Sequence, residues 1–137
     1  MTTMGLFRTA VPLRWVDVDA EGIVNNAVYA SLMEQARYEY FAALLVVTDG
    51  KVPFGLAEAT IRYVRPGRFG MRTEVTVRTT RLQNSSFKMD YEVLGDGDVL
   101  VTSQVVLVWV GADLRPCPIP DSVRQVIAAR EGIAVRA

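Results

Sequence analysis

Asp17 and Asp19 stand one residue apart in "RWVDVDAEGIVNN", where a strand-like stretch passes through a turn into an apolar segment of helical spacing. Carboxylates at such a junction have two uses. The ordinary one is to cap the turn by accepting backbone amides. The other is acid–base or nucleophilic work beside the unpaired amides and positive dipole end of the helix, where a carbonyl oxygen gaining negative charge is stabilised. The chain contains no histidine. That excludes Ser-His-Asp and Cys-His arrangements and His-based zinc or non-haem iron sites, and it leaves proton chemistry to carboxylates, Lys, Tyr, backbone amides and water. The lone Cys117, in "RPCPIP", reads as a structural loop residue. It cannot form an internal disulfide, so a reducing cytoplasm is the expected compartment.

The elements that hold these residues can be read from hydrophobic spacing. Residues 8 to 16, "RTAVPLRWV", read as a first strand that Pro12 sends to a sheet edge. From about Asn26 to Leu45, Val28, Leu32, Met33, Ala36, Tyr40, Phe41 and Leu44 recur at helical spacing, with Asn25 or Asn26 as the expected N-cap. Glu34, Arg37 and Glu39 are its only charges before "TDG", which predicts a helix wrapped by sheet. Strands follow at 52 to 66, 72 to 82, 87 to 93 and 99 to 110, with "GDGD" at 95 to 98 as a tight hairpin. The run "VLVTSQVVLVWV" is apolar enough for a central strand buried on both faces. A short helix at about 121 to 131 ends the chain. One core satisfies all of this if a meander of five or six antiparallel strands curls around one long helix, an α+β plan of the hot-dog type.

The totals agree. At 137 residues, half of them hydrophobic, one domain over 1–137 is expected, with no internal repeat or linker. Fifteen basic and fifteen acidic side chains cancel, so neither nucleic acid nor a membrane surface is expected as a partner. The opening "MTTMGLFRTAVPLRW" lacks an apolar core of signal-peptide length, and the longest apolar run, "FAALLVV", is too short to span a bilayer.

With that order in hand, "DVDAEGIVNN" followed by "AVYASLMEQARYEYF" resembles the signature of the 4-hydroxybenzoyl-CoA thioesterase family of hot-dog proteins, roughly D-x-D-x-x-G-[IH]-V-[YN]-[YN] leading into the helix. "IRYVRPGRFG" resembles the family's loop after the long strand, and the similarity covers most of the chain. The resemblance implies hydrolysis of acyl-CoA or acyl-carrier thioesters by a homodimer or homotetramer, with no cofactor and no metal. It gives Asp19 the catalytic carboxylate, as nucleophile or as general base, and Asn26 the backbone amide that polarises the thioester carbonyl. Ile23 stands where many relatives ending "VNN" carry histidine, so the chain mixes features of two branches.

Gly22, Ile23, Asn25 and Tyr29, in and just after the signature, are candidates to line the substrate site, with Gly22 letting backbone approach the ligand. Arg65, Arg68 and Lys88, near strand ends, are candidates for the phosphates of coenzyme A. Asp17 is expected to brace the turn or pair with an arginine. Glu34, from the helix, and Glu58, from the long strand, are weaker catalytic candidates. Asn84, Ser85 and Ser86 read as a turn, and Trp15 and Trp109 as core or pocket wall. A different class fits the same residues: a hot-dog module that holds an acyl-CoA without turning it over.

Overall fold

Alternation decides which face each strand gives to the interior. In strand β4 (Ser86–Gly95), Phe87, Met89, Tyr91 and Val93 are buried while Lys88 is exposed and Asp90 and Glu92 are half-buried. Strand β3 (Thr73–Leu82) likewise turns Val75, Val77 and Thr79 inward. Helix α1 (Val28–Ala43) lies on that face, burying Tyr29, Leu32, Met33, Ala36, Tyr40 and Phe41. The computed structural model describes residues 5–136, and these form a single five-stranded antiparallel sheet. Its order is β1-β3-β4-β5-β2, with β1 at Phe7–Ala10, β2 at Phe54–Tyr63 and β5 at Asp98–Trp109. Helix α2 (Asp121–Glu131) closes the chain.

An aromatic cluster forms the middle of the core. Phe41 from α1 meets Tyr40, Phe54 and Phe87 with ring centroids 5.0 to 5.8 Å apart, and Phe54 meets Trp109 at 6.0 Å. Phe41 is fully buried, so truncating it to Ala would cost about 3–5 kcal/mol. Helix α2 is tied down by polar contacts. Glu131 accepts from the Tyr40 hydroxyl and from the Thr79 amide at 2.9 Å. The Arg124 guanidinium, 1% exposed, donates to the carbonyls of Ile119, Gln83, Asn84 and Val135.

Three sequence expectations are corrected. The first strand stops at Ala10, and Trp15–Asp17 is a single 3-10 turn, because the chain leaves the sheet edge after Pro12. The strands after α1 are not all joined by hairpins. β3, β4 and β5 form the meander, but β2 pairs with β5 at the far edge, so residues 64–72 must cross to reach β3. Finally, β5 is central yet buried fully on one face only, with Thr102, Val106 and Val108 half-buried and Gln104 exposed on the other. The Asp96-Gly97 hairpin turn is as expected, both residues having positive φ.

Candidate active site

The signature folds as a small hairpin. Val18 bridges Val24, the Asp19 amide donates to the Ile23 carbonyl at 2.8 Å, and the Asn25 amide donates to the Asp17 carbonyl at 3.0 Å. Gly22 sits at φ +78 in its turn. An added Cβ there would meet nothing within 4 Å, so it is the backbone angle that calls for glycine, not close approach.

The two aspartates have opposite surroundings. Asp17 is 3% exposed and accepts from the Arg14 amide at 2.8 Å and the Arg14 guanidinium at 2.9 Å. The Arg14 hydrogen bonds hold its carboxyl below the usual carboxylate range, against the opposing pull of burial. It braces the turn. Asp19 is exposed, and one oxygen, Oδ1, accepts from the Glu21 amide at 2.9 Å and the Ile23 amide at 3.0 Å. Oδ2 accepts from no described residue.

Helix α1 starts later than its apolar spacing suggests. Ala27 is the cap residue, without a side-chain hydrogen bond, and it is the Asn25 backbone carbonyl that accepts from the Val28 amide at 2.9 Å. Neither asparagine side chain caps the helix. The amides of Asn26 and Ala27 donate to no described group, so two N–H dipoles stand free at the helix start. Residues 64–72 cross over this end. The Val24 amide donates to the Gly67 carbonyl, the Phe69 amide to the Gly22 carbonyl, and Ile23 bridges Arg68. Gly67 lies so close that a Cβ would come within 2.9 Å of the Tyr29 hydroxyl and 3.1 Å of Leu100.

The family model of the thioesterase-like superfamily matches residues 13–127. The chain belongs to that superfamily. A thioesterase from Thermus thermophilus, solved with coenzyme A and zinc, superposes with a TM-score of 0.84 at 36% identity, over 98% of this chain and 100% of that one. The acyl-CoA thioester hydrolase YbgC of Escherichia coli O6:H1 is 27% identical over 126 residues, which cover 86% of this chain and 92% of that protein. The acyl-acyl carrier protein thioesterase ATL3 of Arabidopsis thaliana is 26% identical over 118 residues; the match takes in 82% of this chain but only 62% of ATL3. The five-stranded sheet around α1 is the hot-dog fold. Among the described residues of this superfamily member, no group of three or more His, Cys, Asp or Glu is placed to hold a metal.

Against this fold the remaining candidates sort clearly. Ile23, Asn25 and Arg68 lie on the hairpin and its crossing loop, beside the helix start. Tyr29 is 2% exposed and its hydroxyl accepts from the Gly67 amide at 3.1 Å, so it stands behind the helix start as a brace and offers a ligand almost no surface. Arg65 is exposed and pairs with Asp98 at 3.4 Å. Lys88 is a correction: Phe87 and Met89 take the core, so Lys88 points from the sheet face opposite α1. It pairs with Arg81 and Val106, toward the strand ends remote from the crossing loop. It cannot join the helix-start residues within one chain. Glu34 lines a cavity of about 330 Å³ between α1 and the β2–β5 edge, whereas Glu58 is exposed on β2. Asn84, Ser85 and Ser86 form the expected turn.

One residue escapes the sequence reading, and another stands otherwise than it expects. Tyr63, half exposed, donates to the Asn26 carbonyl at 3.3 Å and packs edge-on to Tyr29. Its place at the end of β2 is visible in the sequence, but only the crossing loop shows that this end meets the helix. Trp15, expected as core or pocket wall, is instead 73% exposed, stacked edge-on against Phe69 at 5.5 Å. The 3-10 turn lifts it out of the strand plane.

Proposed function

We propose that this chain hydrolyses acyl thioesters of coenzyme A or of an acyl-carrier, with Asp19 as the reacting carboxylate and the Asn26 amide as the oxyanion donor. The observation that carries the reading is a pair of groups that no described residue engages, Asp19 Oδ2 in the hairpin turn and the Asn26 N–H just past the hairpin's second strand. A thioester is already activated, so it needs little more than an oxyanion donor and a nucleophile or base. By one route Oδ2 attacks the carbonyl carbon, expelling the CoA thiolate and leaving a mixed anhydride that water hydrolyses. By the other, Asp19 takes a proton from water as the hydroxide adds to the carbonyl, and the departing thiolate recovers that proton. In both routes the carbonyl oxygen becomes negative against the Asn26 amide and the helix dipole.

Enclosure of this site calls for a second copy of the chain. Asp19 is exposed, and it lines neither the 330 Å³ cavity nor a larger hollow of about 550 Å³ on the outer sheet face, where Arg62, Arg78, Asp90 and Glu92 mix both charge signs. Strand β2 is an open edge exposed along most of its length. Exposed Leu56, Tyr63, Val64 and Phe69 continue that edge toward the helix start. An open edge with apolar side chains favours strand pairing. We therefore read the protein as at least a homodimer, with the site at the subunit junction; its single free cysteine supports a cytoplasmic location.

The exposure of Asp19 also favours a second reading, an acyl-CoA-binding module without turnover. Thiol release from a panel of acyl-CoAs, with Asp19→Asn beside the parent, separates the two. Release by the parent alone supports the hydrolase; binding without release by both proteins overturns it.

A further inference from the structure

Arg37 is a buried cation without a counter-charge among the described residues. It is 7% exposed, and no described carboxylate lies within 4.0 Å of its guanidinium. Of the five N–H donors of such a group, only one, on Nη1, finds an acceptor among the described residues, the Tyr91 hydroxyl at 3.2 Å. The Tyr91 ring lies beneath the guanidinium, 5.7 Å to its centroid. Beside Tyr91 across the β4–β5 ladder, Ser103 is 5% exposed and its hydroxyl has no partner. Leaving a buried cation with most of its donors idle is costly, so the arrangement calls for an oxygen from outside the described residues.

Arg37 is among the residues that line the 330 Å³ cavity between α1 and β2, whose other walls are Phe54, Leu56 and Leu107, with Glu34 and Tyr38 at the helix side. That volume is at the lower end of ordinary ligand pockets. The cavity also shares a helix face with the proposed reaction site. Ala27, Ser31, Glu34 and Tyr38 follow one another at three- and four-residue steps, and the first three are exposed. From Val28 to Arg37 the helix rises by about 14 Å, and side chains lean back toward the helix start. An acyl chain whose carbonyl meets Asn26 would bring its far end to Arg37 after roughly eight to ten carbons.

We propose that Arg37 is the specificity residue for the distal end of the acyl group, and that the preferred substrates carry an acceptor oxygen there. Plain alkyl chains of the same length bind less well, because they leave the guanidinium desolvated and unpaired. A hydroxyl would also donate to Glu34, whereas a carboxylate would meet its charge. Substrates with each group tell the two sources of oxygen apart. This inference rests on the thioesterase reading for the position of the carbonyl, but its test reads binding without turnover.

Non-hydrolysable thioether analogues of octanoyl-CoA, of the 8-hydroxyoctanoyl and of the 8-carboxylate compound are titrated calorimetrically into the parent protein. We expect one oxygen-bearing analogue to bind at least tenfold more tightly than the alkyl one. In Arg37→Gln that ratio falls toward one, and Arg37→Lys, which keeps the charge, restores part of it. The parent ratio needs no variant, so misfolding of Arg37→Gln leaves the result decisive. Equal binding of all three, or a preference for alkyl, overturns the proposal, the latter showing that Arg37 is already neutralised in the assembly. If the oxygen-bearing analogue wins but no thioester is cleaved, the hydrolase reading fails and the Arg37 assignment stands.

Discussion

The Asp19 carboxylate accepts the Ile23 amide at 3.0 Å, so one of its oxygens is committed to the turn that presents the other. A single side chain thus holds its own hairpin turn through one oxygen and leaves the other without a donor among the described residues. Asp19→Asn keeps an oxygen for that turn but removes the charge. Its kcat is expected to fall by about a hundredfold or more, with Tm nearly unchanged. Asp19→Ala loses both, and should also lower stability by about 1 kcal/mol. A fall in Tm for Asp19→Asn as large as for Asp19→Ala would contradict this division.

Acid should dissolve the brace behind that turn. Arg14 depresses the Asp17 pKa in the folded state below the value of about 3.9 expected unfolded. Asp17 therefore contributes stability above about pH 4, and that contribution is lost as pH falls through the depressed folded value. The stability gap between parent and Asp17→Asn, followed by denaturant titration, should be widest near neutral pH and narrow below about pH 4.

Alkali acts from the other side of the core. Burial pushes the Tyr91 hydroxyl up to about 12, against the opposing pull of Arg37. An unfolded tyrosine ionises near about 10. The neutral hydroxyl thus favours the fold fully below about pH 10 and loses that advantage as pH rises through about 12. Tyr91→Phe is expected to show a smaller loss of Tm over that window than the parent.

Gly67 and Tyr29 should behave as a coupled pair. A Cβ at 67 would press on the Tyr29 hydroxyl at 2.9 Å and on Leu100 at 3.1 Å. Gly67→Ala is expected to displace the crossing loop and lower both Tm and kcat/KM. Adding Tyr29→Phe removes the nearest of three obstructions, the others being Leu100 and Val24 at 3.1 Å, so the double variant should be less damaged than the sum of the single ones. Strict additivity would show that the contact carries no strain.

Leu56 tests the assembly. It is 56% exposed on β2, so Leu56→Asp should leave the fold of one chain intact while lowering dimer affinity by about tenfold or more in sedimentation experiments. Unaltered association would move the interface to another surface.

Much of this is legible in the sequence because alternation and helical spacing are local signals. The burial of Val75, Val77, Phe87, Met89, Tyr91 and Val93 follows from period two, and the core face of α1 from its own spacing. Strand order is not legible, since nothing in "VPFGLAEATIRYVRP" states that this strand pairs with β5 rather than β3. With the order go the position of Lys88 and the meeting of Tyr63 with Asn26. The helix cap is hidden for a similar reason. Asn25 has the right side chain, but the hairpin to Asp17 holds its backbone two residues before the cap position, and a carbonyl does the capping instead. The bracing role of Asp17 is legible, because Arg14 stands only three residues away, and the structure pairs the two.

The crossing loop has a consequence for how such a protein can change over time. One short connector leaves the open sheet edge at Tyr63, props the signature hairpin through Gly67 and Phe69, and only then enters β3. If copies pair along that edge and the Asn26 amide polarises the thioester as proposed, whatever reshapes the contact between neighbouring copies also tugs on that nitrogen. Recognition of self and handling of substrate would then share a hinge, and neither could drift far without the other following.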